Sequence, residues 1–264
     1  MKQISIAFLL YLGGIGQVSA QSAPDQLDLN DPDLVFVDDS VIPIPLEIFA
    51  SLDKLGAQDW GTQVIDRTVN LDANRSRTAM LFGLVVSEGF IAVQAQDNEA
   101  VKRIGLEVLN LAKPLGVKAS VEGHANAIIS AASRGDWETV RSELDKTRQT
   151  VLNELKENRD NELVALVTIG GWLGGTEALA AVLKRNYSPA GSDLLNQPDL
   201  VRQLKDDFNE LPDRTRKGAL FAQVGNTLDH LESLMKADGS GAISEGKVIE
   251  ISLATSNLVK AIFL

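Results

Sequence analysis

The chain has 264 residues, 36 of them acidic and 25 basic, for a formal net charge of −11. Such a surface repels polyanions, which excludes nucleic acid and anionic lipid as natural partners. Cysteine is absent, so thiol nucleophiles, thiolate metal ligands, disulfides and lipid-modified cysteine anchors are excluded as well.

Met1 to Ala20 carries an early Lys2, an apolar run from Ile4 to Ile15, and Val18-Ser19-Ala20 as a small-residue cleavage site. This is the pattern of a secretory signal peptide. The expected mature chain starts near Gln21 and is exported to a periplasm or the extracellular space, free and soluble, with no stable membrane insertion after cleavage. Residues 21–42 contain Asp25, Asp28, Asp31, Asp33, Asp38 and Asp39 and no basic residue up to Val41. They read as an acidic extended arm, with Leu34-Val35-Phe36-Val37 as one short strand and Pro43 and Pro45 keeping the chain extended beyond it. Residues 43–264 read as a single all-α domain, long enough for one sizeable core.

Within that domain, Pro45 fits the first turn of a helix to about Leu55, with Leu46, Phe49 and Leu52 at helical spacing and Gly56 as the stop. A longer helix is expected from Asp72 to Gln96, apolar on nearly every side from Ala79 to Val93 except at Glu88, and therefore buried. Asp97 caps the next helix, whose stripe of Val101, Ile104, Val108 and Leu111 runs to Pro114 and Gly116. A helix over 120–133 follows. Asp136 then caps the most regular amphipathic helix, with Trp137, Val140, Leu144, Thr147, Val151 and Leu155 inward. Its outer face is read as Glu138, Arg141, Glu143, Asp145 and Lys146.

Leu163 to Leu183 is the longest stretch interrupted by only one charged residue, Glu177. At about 1.5 Å per residue it is long enough for a bilayer span or for the middle of a domain. Glu177 costs about 3 kcal/mol on insertion and four glycines add no apolar surface, which favours a buried core helix. Gly170/Gly174 and Gly171/Gly175 form two overlapping small-xxx-small pairs that admit a second backbone closely. Beyond it, Ser188-Pro189 starts a short turn, and helices are expected over 196–210, 213–236 and 244–262. The fold class is all-α: a multi-helix bundle or irregular array of about nine helices with an extended N-terminal arm. LVVSEGF at Leu84 to Phe90 and LVTIGGW at Leu166 to Trp172 share three identities, compatible with two duplicated halves.

Chemistry is sparse. There is no Glu-x-x-His pair, no His-Glu-x-x-His, no G-x-S-x-G elbow and no phosphate-binding glycine loop, and the only imidazoles are His124 and His230. No cofactor is implied. A carboxylate in an apolar helix needs a partner or a raised pKa, which singles out Glu88, with Arg75, Arg77 and His124 as partners. Read as chemistry, Glu88 is a general acid or base with Glu122 or His124 as the second group; read as structure, it is an ion pair that fixes helix register. Glu177 faces the same choice, and Trp172 is either core or a wall for a ligand. Arg75, Arg77, Trp172 and Glu177 are thus the ligand-binding candidates.

Lys236 to Lys247, KADGSGAISEGK, resembles a degenerate EF-hand calcium loop, with Asp238, Ser240, Gly241, Ile243 and Ser244 at the motif's positions. Lys236 and Lys247 stand where the motif has its first acidic ligand and its bidentate glutamate. The reading preferred at this point is a binding protein for an unknown protein or small molecule. A hydrolase using Glu88 with Glu122 or His124 comes second, and a calcium-responsive module with Asp238, Ser240 and Ser244 third.

Overall fold

The computed structural model describes residues 59–67, 69, 74–237 and 241–264, together with the backbone of two short strands in the arm. Residues 1–20, the helix expected over 45–55, and Asp238 and Ser240 of the glycine-rich loop lie outside the described residues. The expected single strand is half of a hairpin: β1, Val35–Val37, pairs antiparallel with β2, Ser40–Ile42, placing Val35 opposite Ile42 and Phe36 opposite Val41.

Apart from connecting loops and the irregular residues 64–67 and 69, the rest of the described chain is helical. Asn74 caps α1, Arg75–Gln94, its side chain accepting from the Arg77 nitrogen, so the helix starts later than Asp72. Asp97 and Asp136 cap α2, Asn98–Leu115, and α4, Trp137–Glu157, by accepting from the nitrogens of Ala100 and Thr139. Between them lies α3, Lys118–Ser133. Pro114 sits inside the last turn of α2, where the lost N–H costs one bond, and Gly116 with φ 84° closes it in the left-handed region. The glycine-rich stretch forms the longest helix, α5, Asn161–Arg185. A short turn, Pro189–Ser192, leads to α6, Pro198–Glu210. The helix expected over 213–236 is instead a single turn, Asp213–Arg216, followed by α7, Ala219–Leu234; extended backbone at Gly218, with ψ 144°, breaks it. The last helix is α8, Glu245–Phe263.

The helices form two sets. α1 heads the first and packs with α2, α3 and α4 in succession; α5 heads the second with α6, α7 and α8. α1 and α5 lie against each other at the centre, and 15 residues of α1 are buried. Both are long and apolar enough to cross a membrane, but here other helices cover most of their apolar surface.

Their crossing depends on glycine. A Cβ at Gly83 would lie 2.6 Å from the Gly171 nitrogen and closer still to the Val167 carbonyl oxygen; one at Gly170 would lie 3.0 Å from the Met80 carbonyl carbon and closer still to its oxygen. The two contacts are related as by a two-fold axis that exchanges Met80 with Val167 and Gly83 with Gly170. Further along, Ser87 meets Gly174, so the contacts advance along both helices and they run parallel. The Leu84 to Phe90 and Leu166 to Trp172 match does not share this register, since it pairs Gly83 with Ala165.

Candidate functional site

The two glycine pairs of α5 do different jobs. Gly170 and Gly174 face α1, whereas Gly171 and Gly175 line a cavity of about 150 Å³ between α1, α4, α5 and the turn before α6. Its wall is chiefly apolar and aromatic, including Phe82, Phe90, Leu152 and Trp172, and a few polar groups break it. Trp172, a sequence candidate, is therefore a wall residue; its indole donates to Gln197 Oε1 at 3.3 Å. Open space surrounds a Cβ placed at Gly175, because the cavity itself lies there.

The polar groups of the cavity come from residues that the helical pattern assigned to the outside or did not single out. Asp145, expected on the outer face of α4, is buried at 7% exposure. It takes Gln149 Nε2 at 2.8 Å and Arg148 Nη2 at a long 3.4 Å. Arg148 lines the cavity; burial pulls the basicity of its guanidinium down, and its Nε is buried without an acceptor. On α5, Thr168 also lines the cavity, and its hydroxyl is buried and without a partner. Periodicity alone missed Arg148 and Asp145 because they flank the stripe at Leu144, and α5 covers that flank only in three dimensions.

Glu88 and Glu177 lie next to this cavity, each following a cavity-lining hydroxyl residue, Ser87 and Thr176. Neither Arg75, Arg77 nor His124 partners Glu88. The partner is Arg67, from the irregular stretch after the 3₁₀ turn Trp60–Gln63. Arg67 Nη1 meets Glu88 Oε1 at 2.5 Å, and Nη2 meets both oxygens of Glu177 at 3.0 and 2.9 Å. All three side chains are only 11–12% exposed. The Arg67 guanidinium also sits 5.3 Å from the Phe263 ring centroid, within cation–π range. One cation thus serves two buried carboxylates. Burial is the main cause that pushes Glu88 up to about 7, and the Glu177 charge adds to it, against the pull of Arg67. Trp60, buried against Ile91, Ala178 and Val182, anchors the segment that delivers Arg67.

Arg75 ties the start of α1 to the Leu115 carbonyl and to Asp160, and Arg77 donates to the Ile262 carbonyl at 2.9 Å. Both are helix-to-helix ties. Glu122 is exposed. His124 belongs to a separate network: its Nδ1 is 2.8 Å from Glu143 Oε2 and its Nε2 3.3 Å from Thr150 Oγ1. Hydrogen bonds from Lys146 and His124 hold the Glu143 carboxyl below the ordinary carboxylate range. In order, these three groups are a hydroxyl, an imidazole and an orienting carboxylate, the sequence of a general-base relay. Thr150 sits mid-helix, however, where neighbouring N–H groups are committed to i−4 carbonyls and leave no oxyanion donors.

At the glycine-rich loop, Gly241 has φ 79°, and Lys247 Nζ donates to the Lys236 carbonyl at 2.9 Å. An ammonium therefore closes the loop at the two positions where the calcium motif has carboxylates. Ser244 precedes α8 without a side-chain cap bond. Among the described residues no three His, Asp or Glu side chains gather as metal ligands.

No protein-family profile, curated relative or solved structure matches this chain.

Proposed function

We propose that this is an exported, soluble helical protein that binds a small, mainly apolar molecule in the cavity between α1 and α5. The observation that carries the reading is the cavity itself: concave, walled by apolar and aromatic side chains, with a few convergent polar groups. That is the usual constitution of a small-molecule site. The two-glycine face of α5 keeps it open beside a helix crossing that is otherwise packed to backbone contact. The export part rests on the signal-like stretch from Met1 to Ala20, and N-terminal sequencing of the natural protein should begin near Gln21.

Gly175→Phe tests the binding part. The side chain starts into open space, and replacing a helical glycine by phenylalanine removes about 0.5 kcal/mol of unfavourable propensity. Saturating indole should raise the melting temperature of the parent by several degrees and leave that of the folded variant unchanged. No shift in the parent, or an equal shift in both, would reject the cavity as the site.

A hydrolase is the second reading, favoured by the Thr150–His124–Glu143 string. It ranks behind binding because no oxyanion donors converge on Thr150. Turnover of a nitrophenyl ester that disappears in Thr150→Val would reverse the order.

A further inference from the structure

We propose that the molecule bound in this cavity is a compact apolar monocarboxylate, its carboxylate held by Arg148 from α4 and Thr168 from α5. This rests on the cavity being the binding site. Arg148 is a guanidinium with a side chain 14% exposed, and its ion pair, Asp145, stands at 3.4 Å with its other oxygen bonded to Gln149. At neutral pH an arginine keeps its charge even when buried. A buried charge that is poorly paired is costly, and a buried N–H without an acceptor adds to the cost. Arg148 Nε is such a donor, and Thr168 Oγ1 is a second, from the opposite helix. What both lack is an oxygen acceptor. The side-on edge of a guanidinium, Nε with its neighbouring Nη, matches the two oxygens of a carboxylate.

The remainder of the wall sets the body of the ligand. Phe82, Phe90, Leu152 and Trp172 offer no hydrogen bonds to a polyol apart from the indole N–H, which Gln197 already takes. A sugar would leave its hydroxyls unpaired there. A dry apolar cavity of about 150 Å³ holds a benzene-sized molecule in another protein, and this cavity has the same volume. The fit is to a single ring or a short branched chain carrying one acid group.

The full chain should be titrated calorimetrically at pH 7 with phenylacetate, with propylbenzene as its neutral match in size, and with octanoate as a straight-chain acid. Phenylacetate should bind at least tenfold more tightly than either. Thr168→Val, which keeps the shape, and Arg148→Met should each weaken phenylacetate at least threefold and leave propylbenzene unchanged. If Arg148→Met does not fold, Thr168→Val carries the test alone. Propylbenzene binding as well as phenylacetate, or equal loss of both in Thr168→Val, would overturn the carboxylate assignment while the cavity stands. Octanoate binding as tightly as phenylacetate would overturn the compact body. If none of the three binds, both the assignment and the site fail.

Discussion

Arg67 holds Glu88 at 2.5 Å from a stretch of chain with no regular structure, and in doing so brings a second carboxylate, Glu177, to the same guanidinium. Burial of Glu88, with its cation shared by a second carboxylate, leaves a proton bound near neutrality, and the adjoining cavity lies one residue away along both helices.

The first consequence is a pH dependence of stability. Burial moves Glu88 from 4.5 to about 7. Between those values the folded protein holds a proton that the unfolded chain has released, so raising the pH favours unfolding. The loss starts near pH 4.5 and is complete somewhat above pH 7, with a ceiling of about 3 kcal/mol at 1.36 kcal/mol per unit. Glu88→Gln removes the titration. Its stability relative to the parent, from urea denaturation, should rise between pH 5 and pH 8; parallel profiles for the two proteins would show that Glu88 ionises normally.

Arg67→Met should destabilise in the opposite sense. It leaves Glu88 and Glu177 buried without their cation, a loss of about 3 to 5 kcal/mol for a broken buried pair. Because both carboxyls can take up protons, the loss should be smaller at pH 5 than at pH 8. A variant as stable as the parent at pH 8 would mean that the pairing contributes nothing net.

The glycines offer a sharper contrast. Gly170→Ala pushes a methyl group into the Met80 carbonyl and should cost about 1 to 3 kcal/mol, the usual range for overpacking. Gly171→Ala places its methyl 3.7 Å from the Gly83 oxygen, an ordinary contact at the cavity edge. There the gain in helix propensity, about 1 kcal/mol, should leave the variant at least as stable as the parent. Equal effects at the two positions, measured by chemical denaturation, would refute the division of labour between the glycine pairs.

Much of the fold was legible beforehand because its signals are local. Asp97 and Asp136 announce their helices through caps that involve only the next few residues, and both accept the bonds expected of them. The burial of Ala79 to Val86 follows from a helix apolar on every side. The break at Gly218 was not legible, since Leu220, Val224, Leu228 and Leu231 keep helical spacing and only the backbone before them changes direction.

The candidate site was legible in parts. Glu88, Glu177 and Trp172 stood out as polar or bulky exceptions in apolar or glycine-rich stretches, and all three lie in or beside the cavity region. Arg67 carried no signal: it has no periodic neighbours, and its contact with Glu177 spans 110 positions.

The sequence by itself determined where most of the described helices lie, where their main apolar stripes run, and that α1 and α5 are buried, because capping, period and apolar run length act within a few turns of chain. Only the tertiary structure decided that Gly170 packs while Gly171 opens a cavity, that Arg67 rather than Arg75 or Arg77 pairs with Glu88, and that Asp145 and Arg148 are inside. Those outcomes depend on which helix covers which flank. A rotation of one residue about a helix axis, 100°, exchanges a packed position for an open one, and that rotation is set by contacts between segments far apart in sequence.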